Sequence, residues 1–194
     1  MQNNSALRHP PGNVLITDKL HQRPPRTADV MRENEALREL ARHLAQSPAT
    51  ILQALVEKTM ELCQAESAGI SISETHEGEE IFRWHAVAGR LKPFLKGTMP
   101  RHFSPCGVVL DKNSVQLMTS LKDHWAYVEE LGMPFHEVLL VPFHQNDKPI
   151  GTIWVVSHSG HRSFDAEDSR VLHSLIDFTA SAVEIYHRLS AKEK

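Results

Sequence analysis

The sequence predicts an α+β domain: a central antiparallel β-sheet of five to six strands, with N- and C-terminal helices on one face and a loop-roofed pocket on the other. Three observations point there. Glu137 to Ser157, EVLLVPFHQNDKPIGTIWVVS, reads as two strands and a turn, because the β-rich runs Val138–Phe143 and Ile150–Val156 flank the turn residues Gln145–Pro149. Both runs are apolar at successive positions, so both of their faces need cover. The order of elements is helix, helix, two strands, an irregular insertion, a short strand, the hairpin and a last helix, which suits an antiparallel sheet backed by helices. Irregular chain over the remaining face leaves room for a cavity, and with it a function by binding.

The 194 residues suffice for one domain with terminal extensions. A net charge of −3 gives no electrostatic footprint for nucleic acid, so no nucleic-acid partner is expected. No apolar run approaches the ~20 residues of a bilayer span. The first 26 residues lack the apolar core of a signal peptide. The expected location is cytoplasmic, with no membrane partner. Cys63 and Cys106 then read as free thiols. Thirteen histidines are scattered without an HExxH or CxxC arrangement, so the spacing names no metal site and no cofactor.

Residues 1–27 carry Pro10-Pro11-Gly12 and Pro24-Pro25 and are expected to be extended or disordered, with Val14-Leu15-Ile16 as the one docking segment. Residues 28–46 form an amphipathic helix whose seam is Val30, Leu37, Ala41 and Leu44, with Asn34 inside it. That seam suits packing onto its own domain or contact with a second copy, and the sequence does not choose. Residues 47–190 make the main domain. Ser47 and Pro48 open a helix to about Gln64. Ala68–Ser73 and Ile81–Ala88 alternate as strands, with Phe82, Trp84 and Ala86 on one face and Arg83, His85 and Val87 on the other. A short helix is expected near Leu91–Leu95 and another at Cys106–Asp111, capped by Ser104 with Pro105 in its first turn. Ser114–Met118 is a short strand, and Lys122–Phe135 is loop with some helix. Asp165 caps a single long helix from Ala166 to Leu189.

Taken together, the helix ILQALVEKTMELCQAESAGISI, the segment FSPCGVVLDKNSVQL, the hairpin VLLVPFHQNDKPIGTIWVVS and the helix FDAEDSRVLHSLIDFTASAVEIY resemble the GAF domain, the small-molecule sensor module of phytochromes, cyclic-nucleotide phosphodiesterases and bacterial signalling proteins. The resemblance covers roughly residues 48–188. It implies terminal helices on one face of the sheet, irregular segments closing a pocket on the other, and dimers formed through the terminal helices. It also implies that Phe135-His136-Glu137-Val138 and Trp154 stand where the family builds its pocket floor.

Three kinds of chemistry follow. The leading expectation is a non-catalytic sensor that binds a small molecule and signals as a homodimer to a separate output protein. Its pocket candidates are Trp84, His85, Phe103, Cys106, Met118, His124, Trp125, His136, Thr152 and Trp154, the aromatic, sulfur and imidazole residues nearest the expected cavity. The second is a tetrapyrrole sensor. HWAYVEELGMPFHEV lacks the Cys-His of bilin-carrying relatives, Ser-Pro-Cys-Gly matches the auxiliary-cysteine motif Asp-x-Cys-Phe poorly, and His85, His124 or His136 remain as haem ligands. The third is an enzyme resembling free methionine-(R)-sulfoxide reductase, which needs a second thiol where His124-Trp125-Ala126 stands. Cys106 at a helix start is further expected to have a lowered pKa and a redox-sensing reactivity.

Overall fold

The computed structural model describes residues 13–191. Strands β1 (Ser67–His76), β2 (Glu79–Gly89), β3 (Thr98–Pro100), β4 (Gln116–Met118), β5 (Glu137–Gln145) and β6 (Lys148–Ser157) form one sheet. All neighbours in it are antiparallel, in the order β3-β2-β1-β6-β5-β4. The expected α+β sheet is therefore present with six strands, β3 being one the sequence did not mark. The β5–β6 hairpin turns at Asn146-Asp147, both at positive φ (50° and 60°), as a two-residue hairpin requires.

Each face of the sheet has its own core. On the first, Ile70, Ala86, Leu139, Val141, Ile153 and Val155 pack under α3 (Ile51–Leu62), α5 (Ala166–Ser174) and α6 (Ile176–Ser190). On the second, Trp84, Val138, Leu140, Trp154 and Val156 meet α4 (Pro105–Lys112) and the irregular chain after β2 and β4. Each fully buried aliphatic side chain contributes about 1.5–3 kcal/mol. Helical and loop coverings thus hold opposite sides of the same strands.

Two bulges decide which residues face which core. Ser71 pairs with Trp84 but Ile70 pairs with Ala86, so His85 is an extra residue in β2. The strict alternation expected for β2 breaks there. Phe82 and Trp84 face the second core as a pair, whereas Ala86 joins the helical core and Val87 the second one. A like shift between Phe143 and His144 leaves Ile150 extra in β6 and sets Leu140 opposite Trp154.

The helices differ from expectation in instructive ways. Pro48–Thr50 is a single 3₁₀ turn before α3, and Ser47 accepts from Thr50 through its backbone carbonyl rather than capping with its hydroxyl. Ser104 does cap α4, accepting the Gly107 N–H at 3.1 Å, and Asp165 with Asp168 forms a capping box on α5. The long terminal helix is two helices. Ser174 Oγ donates to the Val171 carbonyl at 2.8 Å, and the Leu175 N–H turns to Leu172 instead, which tightens the chain at the junction. In α2 (Val30–Gln46), Glu33, Ala36 and Leu40 are the buried residues, with Leu37 and Leu44 packed beside them. Val30 (56% exposed) and Ala41 lie outside, so the expected seam is rotated, and this helix packs onto its own domain.

Part of the N-terminal extension is not as expected. Residues 1–12 lie outside the described residues, but the chain from Val14 onward is packed. Ile16 N–H donates to the Leu117 carbonyl and Thr119 N–H to that of Val14, so Val14-Leu15-Ile16 docks along β4 as the sequence suggests. Beyond it, α1 (Lys19–Gln22) buries Leu20 completely. Arg23 then holds the buried carboxylate of Glu137 with two bonds of 2.9 and 2.6 Å, and Arg26 meets Asp168 at 3.1 Å. Asp168, fully buried, also takes both of its 2.7 Å bonds to Arg162. Removing one partner of such a pair leaves a buried charge without its counter-ion. Arg23→Ala is therefore expected to lower unfolding free energy by about 3 kcal/mol in urea titration. Adding Glu137→Gln to that variant is expected to restore part of the loss.

Candidate functional site

The second core is incompletely filled. A cavity of about 290 Å³ lies between the sheet and its loop covering. Its floor is Val138 and Leu140 of β5, Trp154 and Val156 of β6, and Trp84 of β2. Pro105 and Cys106 of α4 form one wall, and Leu91, Phe94 and Met99 from the chain after β2 form another. The roof is the β4–β5 connection, which supplies Leu121, Tyr127, Val128, Leu131 and Phe135. Two 3₁₀ turns, Leu121–Asp123 and Ala126–Leu131, hold that connection in place. Tyr127 adds a hydroxyl bond of 3.1 Å to the Phe103 carbonyl.

The two indoles define the floor. Trp154 lies against β1 where Gly69 has no side chain; a Cβ there would stand 2.2 Å from Trp154 Cζ2. Its Nε1–H donates to Ser71 Oγ at 2.8 Å. Trp84 sits 5.2 Å away, tilted by 54°. Its own Nε1 is buried and has no hydrogen-bond partner among the described residues. Glu130, exposed at the rim, is the one charged side chain among the lining residues described.

Of the ten candidates, Trp84, Cys106 and Trp154 line the cavity. Thr152 stands behind Cys106, donating its hydroxyl to Sγ at 3.2 Å. Met118 and Trp125 are buried in the same core without reaching the cavity, and Phe103 packs at its margin. His124 packs on the rings of Phe103 and Trp125, its Nε2 buried and unpartnered among the described residues. His136 is exposed. His85 lies on the opposite face, bonded to Glu74 and edge-on to Tyr186 and His187 of α6. Most of the aliphatic lining and His158 were missed. Only pairing with Trp154 marks Leu140 and its neighbours, and the roof residues share no periodic signal.

Cys106 departs from the expected thiolate. It is 2% exposed, and burial pushes its thiol up despite the hydroxyl of Thr152 and its place in the first turn of α4. Burial also pushes up Cys63, which sits in the helical core on the other side of the sheet. The two are free and in separate cores.

His158 ties the mouth of the cavity together. Its Nδ1–H donates to the Pro134 carbonyl at 2.7 Å, so Nε2 accepts from Ser67 Oγ at 2.9 Å. That hydroxyl in turn accepts the Leu91 N–H at 3.1 Å. The chain entering the roof and the chain entering the wall are thereby joined through one neutral imidazole, with Phe135 edge-on to it. Beside it, burial opposes ionisation of Glu66, but the Ser159 and His158 N–H groups and the Ser159 hydroxyl hold its carboxyl down at about 2.

The sequence model described as GAF domain matches residues 45–184. This chain belongs to the GAF family. Solved structures share the fold. The GAF domain of a phosphoenolpyruvate-protein phosphotransferase from Coxiella burnetii is 18% identical, with 86% of this chain and 100% of that one covered and a TM-score of 0.65. The phycoerythrobilin-bound GAF domain of a cyanobacterial phytochrome is 14% identical over 84% and 100%, with a TM-score of 0.65. A free methionine-R-sulfoxide reductase from Neisseria meningitidis, solved with its substrate, is 16% identical over 86% and 97%, with a TM-score of 0.63. Comparison with curated protein sequences gave no match. The GAF fold is one of sensing and ligand binding, and the reductase shows that it also serves enzymes.

Two expectations follow from the buried groups. Cys106 should react with iodoacetamide more slowly than a model thiol at pH 7.5, as measured by mass spectrometry of the native protein. Burial lowers the pKa of His124, His158 and His187, with His85 adding to the effect at His187. The unfolded chain therefore binds more protons than the native one just below the ordinary histidine pKa of about 6.5. Stability present above that pH is lost as the pH falls, by up to ~1.4 kcal/mol per pH unit for each histidine that must charge. Urea midpoints should fall from pH 7 to 5.5, and less steeply in His158→Gln.

Proposed function

We propose that the chain is a non-catalytic sensory domain that takes a small molecule into the cavity and signals as a homodimer through its terminal helices. The observation that carries this reading is the cavity itself: apolar, between sheet and irregular roof, on the face opposite the helices. Pockets of this kind bind small molecules by apolar contact, with a few polar groups for orientation. The phytochrome domain among the similar structures holds phycoerythrobilin, so the fold accommodates a ligand there or nearby.

The thiol chemistry supports a binding role over a reductase. Cys106 is held as a protonated thiol, and Cys63 is across the sheet from it. Neither has the exposed, low-pKa setting that disulfide exchange uses. Transmission would run through the strands. Trp154 and Val156 touch the cavity while their neighbours Ile153 and Val155 pack in the helical core, so a ligand that favours one arrangement of the floor also favours one packing of the helices. Val30 and Met31 (56% and 81% exposed) offer apolar surface on α2 for a second copy. A separate output protein would read the change, and the setting would be cytoplasmic; among the described residues no helix is long and apolar enough to cross a membrane.

A thermal-shift screen against a metabolite panel tests the ligand reading. At least one compound should raise the melting temperature, by an amount that grows with its concentration. The same compound should leave Leu140→Trp unmoved, because the larger side chain fills the floor. A panel that shifts both proteins equally, or neither, rejects the cavity as the site. Sedimentation of Met31→Glu should show a weaker dimer than the unaltered chain.

A further inference from the structure

The lining of the cavity specifies its ligand more closely than the fold does. We infer that the site takes a compact, uncharged, one- or two-ring molecule carrying a hydrogen-bond acceptor, and that Trp84 Nε1–H is the donor that reads the acceptor. This rests on the ligand-cavity reading above and narrows it.

Size comes first. At about 290 Å³ the cavity stands at the foot of the usual range for ligand pockets, roughly 300–1,000 Å³. It is nevertheless about twice the ~150 Å³ of an apolar protein cavity that admits benzene. A fused bicycle matches that space, and an extended tetrapyrrole or a nucleotide exceeds it.

Charge comes second. Among the described lining residues there is no lysine, arginine or histidine to pair with a carboxylate or phosphate, and the one charged group, Glu130, would repel an anion at the entrance. An anion moved into such a lining loses its hydration without compensation. A cation would find aromatic faces and Glu130, but Glu130 is exposed at the rim, and most of the remaining lining is aliphatic, with Leu91, Val128, Val138 and Leu140 among it. A neutral ligand avoids both costs.

The polar requirement comes third. Trp154 has its indole N–H satisfied by Ser71, and Tyr127 its hydroxyl by Phe103. Trp84 does not: it is 7% exposed, it lines the cavity, and its Nε1 lacks a partner among the described residues. The Cε3 edge of the ring is turned to Gly97, where a Cβ would stand 4.0 Å away, so Nε1 lies on the other long edge. A buried donor left unpaired is costly, and a ligand acceptor that meets it recovers that cost. Val138, Leu140, Val156 and Cys106 around it offer no such acceptor beyond a thiol already engaged by Thr152.

Four isosteres separate these statements: naphthalene, quinoline, 2-naphthoate and N-methylquinolinium, titrated against the whole chain by calorimetry and tryptophan fluorescence. Quinoline is expected to bind about tenfold more tightly than naphthalene, since one hydrogen bond to a buried donor is worth up to about that factor. The naphthoate and the methylquinolinium are expected to bind at least tenfold more weakly than quinoline. Trp84→Phe should bring quinoline to the level of naphthalene. If that variant does not fold, nitrogen-15 spectra of the unaltered protein serve instead: the Trp84 indole N–H should move downfield with quinoline and not with naphthalene, while that of Trp154 stays bonded to Ser71. Equal affinity for quinoline and naphthalene, or tighter binding of either ion, overturns the inference. So does a charged panel compound that binds the unaltered chain but not Leu140→Trp, an outcome that leaves the ligand-cavity reading standing. If neither the isosteres nor the panel bind, both fall.

Discussion

The structure depends on the fact that β5 and β6 carry apolar side chains on both faces, so neither face can be left to water. Leu139, Val141, Ile153 and Val155 are satisfied by helices; Val138, Leu140, Trp154 and Val156 need something else. Helices can cover a sheet continuously, because an amphipathic helix presents an unbroken apolar stripe. Short turns and loops cannot, since their backbone polar groups must also find partners. The covering built from Leu91–Phe135 solves this piecemeal, with 3₁₀ turns, a capped two-turn helix and single bonds such as that of Tyr127 to the Phe103 carbonyl. A roof assembled from such pieces leaves space, and the cavity is that remainder.

The same asymmetry explains why the two coverings are suited to different tasks. The helical side is a dense core with its buried acids paired, as Arg162 and Arg26 pair Asp168. The roof is secured at a few points, of which the Ser67–His158–Pro134 link is the most connected. Elements held by few bonds open at lower free energy than the core does. A molecule entering from that side therefore meets the part of the domain that yields, while the part that would carry the signal stays ordered.

Much of the fold was legible because its local signals agree. Turn residues at Gln145–Pro149, the Ser104-Pro105 cap and the acidic start at Asp165 each mark an element where it stands. What could not be read depends on pairing rather than on local pattern. His85 was assigned by alternation to a face fixed instead by a bulge, and a bulge is a property of two strands together. Strands apolar on both faces do not reveal their register either; the shift at Ile150 alone decides that Leu140, rather than Leu139, shares the cavity floor with Trp154. Gly151, whose Cβ would lie 2.4 Å from the Ser71 carbonyl oxygen, was the available hint. The packing of residues 14–26 was hidden for a different reason. It rests on Arg23 and Arg26 reaching acids more than a hundred positions away, which composition reads simply as charge.

That arm bears on where the folding unit begins. The family match starts at residue 45, after both arginines. A fragment excised at that boundary would keep every strand, yet bury Glu137 with no cation beside it and strip Asp168 of one of its two. It would also uncover β4, whose outer edge Val14 and Ile16 now occupy, exposing unpaired backbone to any other chain that meets it. The smallest self-sufficient piece of this protein is thus longer than its recognisable motif, and its true border is drawn by ion pairs.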